Sequence, residues 1–265
     1  MKKVTLRALR DKKQKKEKIV ALTAYDYTFA RIIDQCNVDV ILVGDSLSNV
    51  CCGYQTTLPI TLDEMIYHSK AVRRGVKKAF LMGDMPFLSY QVSVEKAIEN
   101  AGRFMKEAEV DGVKIEGGEI IADTVYHLSH KGIPVMAHIG FMPQSEHQLG
   151  GRYVQGKEEG EALRIKKEAK IFEEAGAFGL LLESIPSKLA KEITESVNIP
   201  TIGIGAGADC DGQILVCYDL LGMDKEFNPK FLRKYAQLSD TITEAVTSYS
   251  EDIRSKSFPN DTECY

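Results

Sequence analysis

No apolar run in the 265 residues approaches the roughly 20 that a membrane span needs. The opening residues, Met1-Lys2-Lys3-Val4-Thr5-Leu6-Arg7, lack the apolar core of a secretory signal, so a cytoplasmic protein is expected. Among six cysteines, at 36, 51, 52, 210, 217 and 264, there is no Cys-x-x-Cys pair, and Cys51 and Cys52 are adjacent. That spacing argues against a disulfide framework or a thiolate metal site, and the cysteines read as reduced core or loop filler. Positive charge is not in excess: a net charge of −4 gives no electrostatic case for nucleic acid or an anionic membrane as partner. The one basic stretch, Arg10-Asp11-Lys12-Lys13-Gln14-Lys15-Lys16-Glu17-Lys18, contains acids and no aromatics, which predicts the solvated face of a helix ahead of the first strand. No linker or composition shift marks a boundary.

What is there is an ordinary globular composition, 44 % apolar and 27 % charged, in a chain long enough for a full core without metal or disulfide staples. Strand patterns recur over 18–23, 38–43, 78–82, 110–116, 133–138, 178–183, 199–204 and 213–218. Helical patterns fall between most of them. Thr61-Leu62-Asp63-Glu64 is a capping box, and Ala97, Ile98, Ala101, Phe104, Met105 and Ala108 share one helix face behind Ser93. Residues 230–248 read as a further helix and the last dozen as a loose tail. Eight strands alternating with helices predict a parallel α/β sheet closed as a (β/α)₈ TIM barrel. The expected organisation is a single domain: an N-terminal helix, a barrel over about 18–222, and an extra C-terminal helix and tail over 223–265.

In such barrels the loops after the strands form the working face. Asp45, Asp84, Glu116, His138 and Glu183 all fall at or just after a predicted strand's C-terminal end. Lys114 and Glu116 alternate with Val113 and Ile115, so both charges point to one face, where each needs a partner or a task. A structural ion pair between them meets that need, and so does a reaction site. Asp45, Asp84 and Glu116 come from three neighbouring strands and would repel one another unless protons or a cation neutralise them. All-oxygen ligation suits Mg²⁺, which can chelate an α-keto acid and stabilise the enolate formed when the adjacent carbon loses a proton. A carboxylate cluster without metal is the other reading. Lys114 could hold a substrate carboxylate, and His138 could donate to a substrate oxygen or be structural. Glu183, behind Leu180-Leu181-Leu182, is a candidate general base or a surface acid. Gly203-Ile204-Gly205-Ala206-Gly207 is either a phosphate cradle or glycine relieving crowding. The stretch 140–160, rich in Gly, Gln and Pro, is long for a compact domain and reads as a lid or mobile loop.

At these residues the chain resembles the ketopantoate hydroxymethyltransferase family, from about Leu22 to Gly222. The likeness is carried by Thr23-Ala24-Tyr25-Asp26-Tyr27, Val43-Gly44-Asp45-Ser46-Leu47, Thr57-Leu58-Pro59 and Asp84-Met85-Pro86-Phe87. It continues through Val113-Lys114-Ile115-Glu116-Gly117-Gly118, His138-Ile139-Gly140, Pro143-Gln144-Ser145, Leu182-Glu183, Ile202-Gly203-Ile204-Gly205-Ala206-Gly207 and Asp211-Gly212-Gln213. The resemblance implies a (β/α)₈ barrel. It further implies Mg²⁺-dependent transfer of a one-carbon unit from 5,10-methylenetetrahydrofolate to 3-methyl-2-oxobutanoate, giving 2-dehydropantoate. It assigns metal contacts to Asp45, Asp84 and Glu116, substrate contacts to Asp45, Ser46, Asp84, Lys114 and His138, and proton acceptance to Glu183. It also implies a homo-oligomer, a decamer of two five-membered rings.

The chain departs from the family pattern at Ser48, where glycine is usual after Gly-Asp-Ser-Leu, and at Gln55 and Thr56, where Asp and Ser are commoner. A serine forced into a glycine conformation would be strained, so an altered loop after the second strand is expected. The alternatives to the transferase are a metal-dependent keto-acid C–C lyase on the same barrel and a catalytically silent ligand-binding barrel.

Overall fold

Eight short strands, rich in Val, Ile and Leu, lie side by side in sequence order: β1 Ile19–Thr23, β2 Val40–Val43, β3 Phe80–Asp84, β4 Gly112–Glu116, β5 Val135–Gly140, β6 Gly179–Glu183, β7 Thr201–Ile204 and β8 Gly212–Leu215. In this computed structural model, which describes residues 3–265, all neighbours pair in parallel and β8 returns to β1, closing the barrel. Closure leaves no sheet edge, so every strand end contributes to one of two mouths.

Alternation along the strands decides what fills the interior. Ile19 and Ala21, Val40 and Leu42, Phe80 and Met82, Met136, Leu181, Ile202 and Ile214 make one buried cluster with Leu9, the stacked side-chain layers of a packed barrel rather than a pore. Leu9 comes from α1 (Leu6–Lys15), which is capped by Thr5 and lies across the N-terminal mouth. The outward residues meet the helices α2 (Tyr27–Ile33), α3 (Leu47–Val50), α4 (Leu62–Gly75), α5 (Val94–Glu107), α6 (Ala122–His130), α7 (Glu146–Leu149), α8 (Glu159–Glu174) and α9 (Ser187–Ser196). The Thr61–Glu64 capping box opens α4 and Ser93 caps α5, which buries Ala97, Ala101 and Phe104. No helix separates β7 from β8.

Compact packing divides the chain at Val216, with Cys217–Tyr265 as the second unit. Within the latter, α10 (Cys217–Leu220) and α11 (Leu238–Ser255) are joined by irregular backbone. The helix predicted over 230–248 therefore starts eight residues later than expected. The reason is that Tyr235 and Leu238 donate their backbone N–H groups to Leu220 and Leu221 instead of to a preceding helical turn.

Some expected bounds and contacts differ elsewhere in the barrel. The predicted third strand stopped at Met82, but β3 continues to Asp84 because Asp84 still pairs with Lys114 of β4. The eighth ends at Leu215, not Tyr218, where α10 takes over. The basic stretch is not simply solvated: Lys12 Nζ lies 2.8 Å from Asp39 and Lys13 Nζ 2.7 Å from Asp211, fastening α1 to the barrel floor. Within 140–160 the chain forms a 3₁₀ turn, Pro143–Ser145, and α7, which ends at Gly150 in the left-handed region. All six cysteines are free, Cys210 and Cys217 buried and the others exposed.

Candidate active site

The carboxylates expected at the C-terminal mouth come together. Asp45 follows β2, Asp84 ends β3, Lys114 and Glu116 lie on β4, and His138 on β5; all five are no more than 5 % exposed. Their contacts form one chain. The Asp45 backbone N–H donates to Asp84 Oδ2 at 3.0 Å. Lys114 Nζ sits 2.7 Å from Asp84 Oδ1 and 3.5 Å from Glu116 Oε2. His138 Nδ1 is 3.0 Å from Glu116 Oε2, and its Nε2 is 3.3 Å from Glu183 Oε2. The ion pair expected between Lys114 and Glu116 is thus present, within a larger buried cluster.

Glu116 spends both oxygens on protein donors: His138 and Lys114 on Oε2, and the backbone N–H of Gln144 on Oε1 at 2.6 Å. Two buried atoms, Asp84 Oδ1 and His138 Nε2, have no aligned hydrogen-bond partner; their neighbours lie close but off the bonding direction. Ser46, next to Asp45, has its Oγ 2.8 Å from the Tyr25 hydroxyl, which in turn accepts from Thr23 at 2.9 Å.

Electrostatics sorts these groups. Burial pushes the Asp45 carboxyl well above the usual range and Asp84 pushes it further, with Lys114 compensating only in part. Asp84 is also raised by burial, against the pull of the adjacent Lys114 ammonium. Glu116 goes the other way: burial opposes its charge, but Lys114 and His138 outweigh it and hold the carboxyl low. Burial would lower Lys114, yet the carboxylates of Asp84, Glu116 and Asp45 keep it above its ordinary value. Burial works against a charged His138 too, but the hydrogen bond to Glu116 and the adjacent Glu183 carboxylate raise it to about 9. Lys114 and His138 thus face three buried carboxyls, of which Glu116 is favoured as the anion while Asp45 and Asp84 are pushed towards the protonated form.

Two residues without an assigned role complete the cluster. Gln144, in the 3₁₀ turn after β5, donates from Nε2 to Asp45 Oδ2 at 3.0 Å. Tyr90, 1 % exposed, bonds both Glu116 backbone groups and Gln144 Oε1. Gln144 carried a signal in the Pro-Gln-Ser motif; Tyr90 carried none, being one aromatic among many in a loop. Gly140 makes the turn possible: its φ is 99° and a Cβ there would lie 2.3 Å from the Glu183 carbonyl oxygen. Ser48 does not adopt a glycine conformation. It lies inside α3, is absent from the positive-φ residues, and its hydroxyl donates to the Thr56 carbonyl at 2.8 Å. Ser48 therefore carries no left-handed strain, its backbone being that of a short helix. At Gly203 and Gly207 crowding is evident, since a Cβ would meet Cys210 Sγ at 2.9 Å and Ser187 Cβ at 2.5 Å.

A sequence model of the ketopantoate hydroxymethyltransferase family matches residues 3–261. The chain is 56 % identical over 266 aligned positions to the 3-methyl-2-oxobutanoate hydroxymethyltransferase of Chlorobaculum tepidum, covering 99 % of this chain and 96 % of that protein. To the protein of the same name from Cytophaga hutchinsonii it is 54 % identical, covering 100 % and 97 %. Among solved structures, phosphonopyruvate hydrolase in complex with oxalate and Mg²⁺ superposes with a TM-score of 0.63 at 12 % identity, over 99 % of this chain and 93 % of that one. For 2,3-dimethylmalate lyase the TM-score is 0.61 at 15 % identity, over 98 % and 91 %. These two likenesses are of fold. With the family match spanning nearly its whole length, the chain belongs to the ketopantoate hydroxymethyltransferase family.

Proposed function

We propose that the C-terminal mouth carries out the family's reaction with Glu183 as the base, on 3-methyl-2-oxobutanoate, with Asp45 and Asp84 holding a Mg²⁺ ion. Glu183 takes the C3 proton, and C3 attacks the methylene carbon of 5,10-methylenetetrahydrofolate. That attack breaks one C–N bond of the methylene carbon, and water then displaces the second nitrogen, leaving 2-dehydropantoate and tetrahydrofolate. The observation that carries this reading is the convergence of Asp45, Asp84, Lys114, Glu116 and His138, from four successive strand ends, in one buried chain of contacts.

The donor set fits a hard cation. Asp45 and Asp84 are buried carboxyls whose burial and mutual repulsion disfavour their charge, a cost that a cation held between them would relieve. No group of three or more His, Cys, Asp or Glu side chains among the described residues is disposed as a ready-made cage. One or two direct carboxylates are the usual protein share for Mg²⁺, which keeps several waters. When bound, the ion polarises the keto carbonyl and stabilises the negative charge developing there. Glu116, engaged at both oxygens, holds Lys114 and His138 in place. Lys114 stays charged and faces the substrate carboxylate, while His138 Nε2 and the Ser46 hydroxyl donate to substrate oxygens. Glu183 has 17 % of its side chain exposed, against 1 % for Asp84, Glu116 and His138, which makes it the acid most open to an incoming C–H.

The test follows the C3 proton by NMR in D₂O with Mg²⁺, with and without methylenetetrahydrofolate. Exchange by the native protein that disappears in Glu183→Gln, with product only when folate is present, supports the reading. Cleavage without folate would make the protein a keto-acid lyase, and absence of both exchange and product would leave a binding barrel.

We further propose that the chain acts in the cytoplasm as a homo-oligomer, a decamer. Six free cysteines agree with a reducing compartment. The apolar row Ile242, Val246, Tyr249 and Ile253 on α11, each 43–58 % exposed, supports burial against a second copy. Sedimentation equilibrium settles it: a monomer at micromolar concentration would sink the oligomer.

A further inference from the structure

We propose that Gln144 is a positioning residue: it fixes which oxygen of Asp45 is presented to the cation and ties that choice to the loop leaving β5. The inference rests on the cation reading above but on separate observations. Gln144 is 4 % exposed, and every hydrogen-bonding site of its side-chain amide is used. Nε2 donates to Asp45 Oδ2 at 3.0 Å and to the Met85 carbonyl at 3.0 Å. Oε1 accepts from the Tyr90 hydroxyl at 2.8 Å and from Gln91 Nε2 at 3.2 Å. The opposite amide orientation would set a carbonyl oxygen against a carboxylate and a second carbonyl, so the network admits one orientation only.

The consequence concerns oxygens. With Oδ2 of Asp45 held by the amide, Oδ1 is the oxygen without a protein donor among the described residues. At Asp84, Oδ2 accepts the Asp45 N–H, and Oδ1 has no aligned hydrogen bond but lies 2.7 Å from Lys114 Nζ. Asp45 is thus held by one oxygen and offers the other, whereas Asp84 Oδ1 already faces the Lys114 ammonium. The same glutamine's backbone N–H holds Glu116 Oε1. One turn, Pro143–Ser145, therefore touches the ends of β2, β3 and β4 together. Outer groups of this kind orient ligands, and removing them typically weakens metal binding about 10- to 100-fold.

The decisive measurement titrates Mn²⁺ alone into metal-free protein and reads free Mn²⁺ by electron paramagnetic resonance. Gln144→Met keeps the length of the side chain and removes all four amide bonds. Its Mn²⁺ dissociation constant is expected to rise about 10- to 100-fold, with kcat largely restored at excess Mg²⁺. A residue that merely supported the loop would lower the unfolding midpoint without metal rescue. Tyr90→Phe, which keeps the amide but removes one donor that orients it, should give a smaller shift of the same sign and decides the matter if Gln144→Met does not fold. Folded variants that bind Mn²⁺ within twofold of the native protein overturn the role of Gln144 while leaving the cation reading intact. A native protein that takes up no Mn²⁺ overturns the cation reading, and this inference with it.

Discussion

The two mouths of the barrel both hold buried charge, and they treat it differently. At the N-terminal mouth each acid is surrounded by donors. Asp39 accepts from Lys12 and from the Val20 N–H at 2.9 Å, and Asp211 accepts from Lys13, the Thr201 N–H and the Thr201 hydroxyl. Charge there is matched one for one and serves to seat α1. At the C-terminal mouth Asp45, Asp84, Glu116 and Glu183 face only Lys114 and His138, Asp84 Oδ1 and His138 Nε2 lack aligned partners, and the Asp45 carboxyl is pushed upward. A site that stays unsatisfied in this way costs stability and is ready to bind something; the opposite mouth only stabilises. Substitutions at the two ends should therefore separate activity from stability.

The largest effect belongs to the base. Glu183→Gln keeps the shape and removes the proton acceptor, so kcat should fall about 10²- to 10⁴-fold, with only a small fall in the urea midpoint because Glu116 still supports the charge on His138. Steady-state assay beside equilibrium unfolding checks both halves. A variant retaining a tenth of the native kcat would remove Glu183 from the chemistry.

Second in size is the pH dependence set by His138. Its pKa rises from an ordinary 6.5 to about 9 on folding. A group raised on folding contributes fully below its unfolded value and loses that contribution as pH climbs through the folded value. Stability should therefore decline between about pH 6.5 and 9, by on the order of 3 kcal/mol from this group. Urea unfolding of native protein and His138→Gln across that range tests it, since the variant should lack this decline. At the other mouth, Lys13→Met removes one charged donor from Asp211 and leaves its two threonine donors. The expected cost is about 2 kcal/mol, with KM and kcat unaltered.

Strand order, barrel closure and the five charged residues of the site were legible in the sequence, because alternation and strand-end position are local patterns. Less legible was anything decided by where the chain goes next. The seating of Lys12 and Lys13 depends on Asp39 and Asp211, the latter 198 residues from Lys13, and local charge patterning sees only a solvated run. Gln144 and Tyr90 become part of the site only when the turn after β5 folds back over β2, β3 and β4, 99 residues separating Gln144 from Asp45. Helix α11 was displaced because its expected first turns give their N–H groups to the segment around α10.

Ser48 gives the smallest effect and the sharpest use of the comparison, since it lies beside the active mouth yet is satisfied like a residue of the inactive one. It is wholly buried, and its hydroxyl donates to the Thr56 carbonyl, tying α3 to the chain ahead of Thr57. If that bond merely holds the loop, Ser48→Ala should cost about 1 kcal/mol, and alanine's helix preference should recover part of it. KM for the keto acid should stay within twofold, because Asp45 and Ser46 take their positions from β2, Gln144 and Tyr25 rather than from Ser48. A rise of tenfold or more in KM would show that the boundary between the satisfied and unsatisfied parts of the molecule runs through α3, and that Ser48 helps set the site.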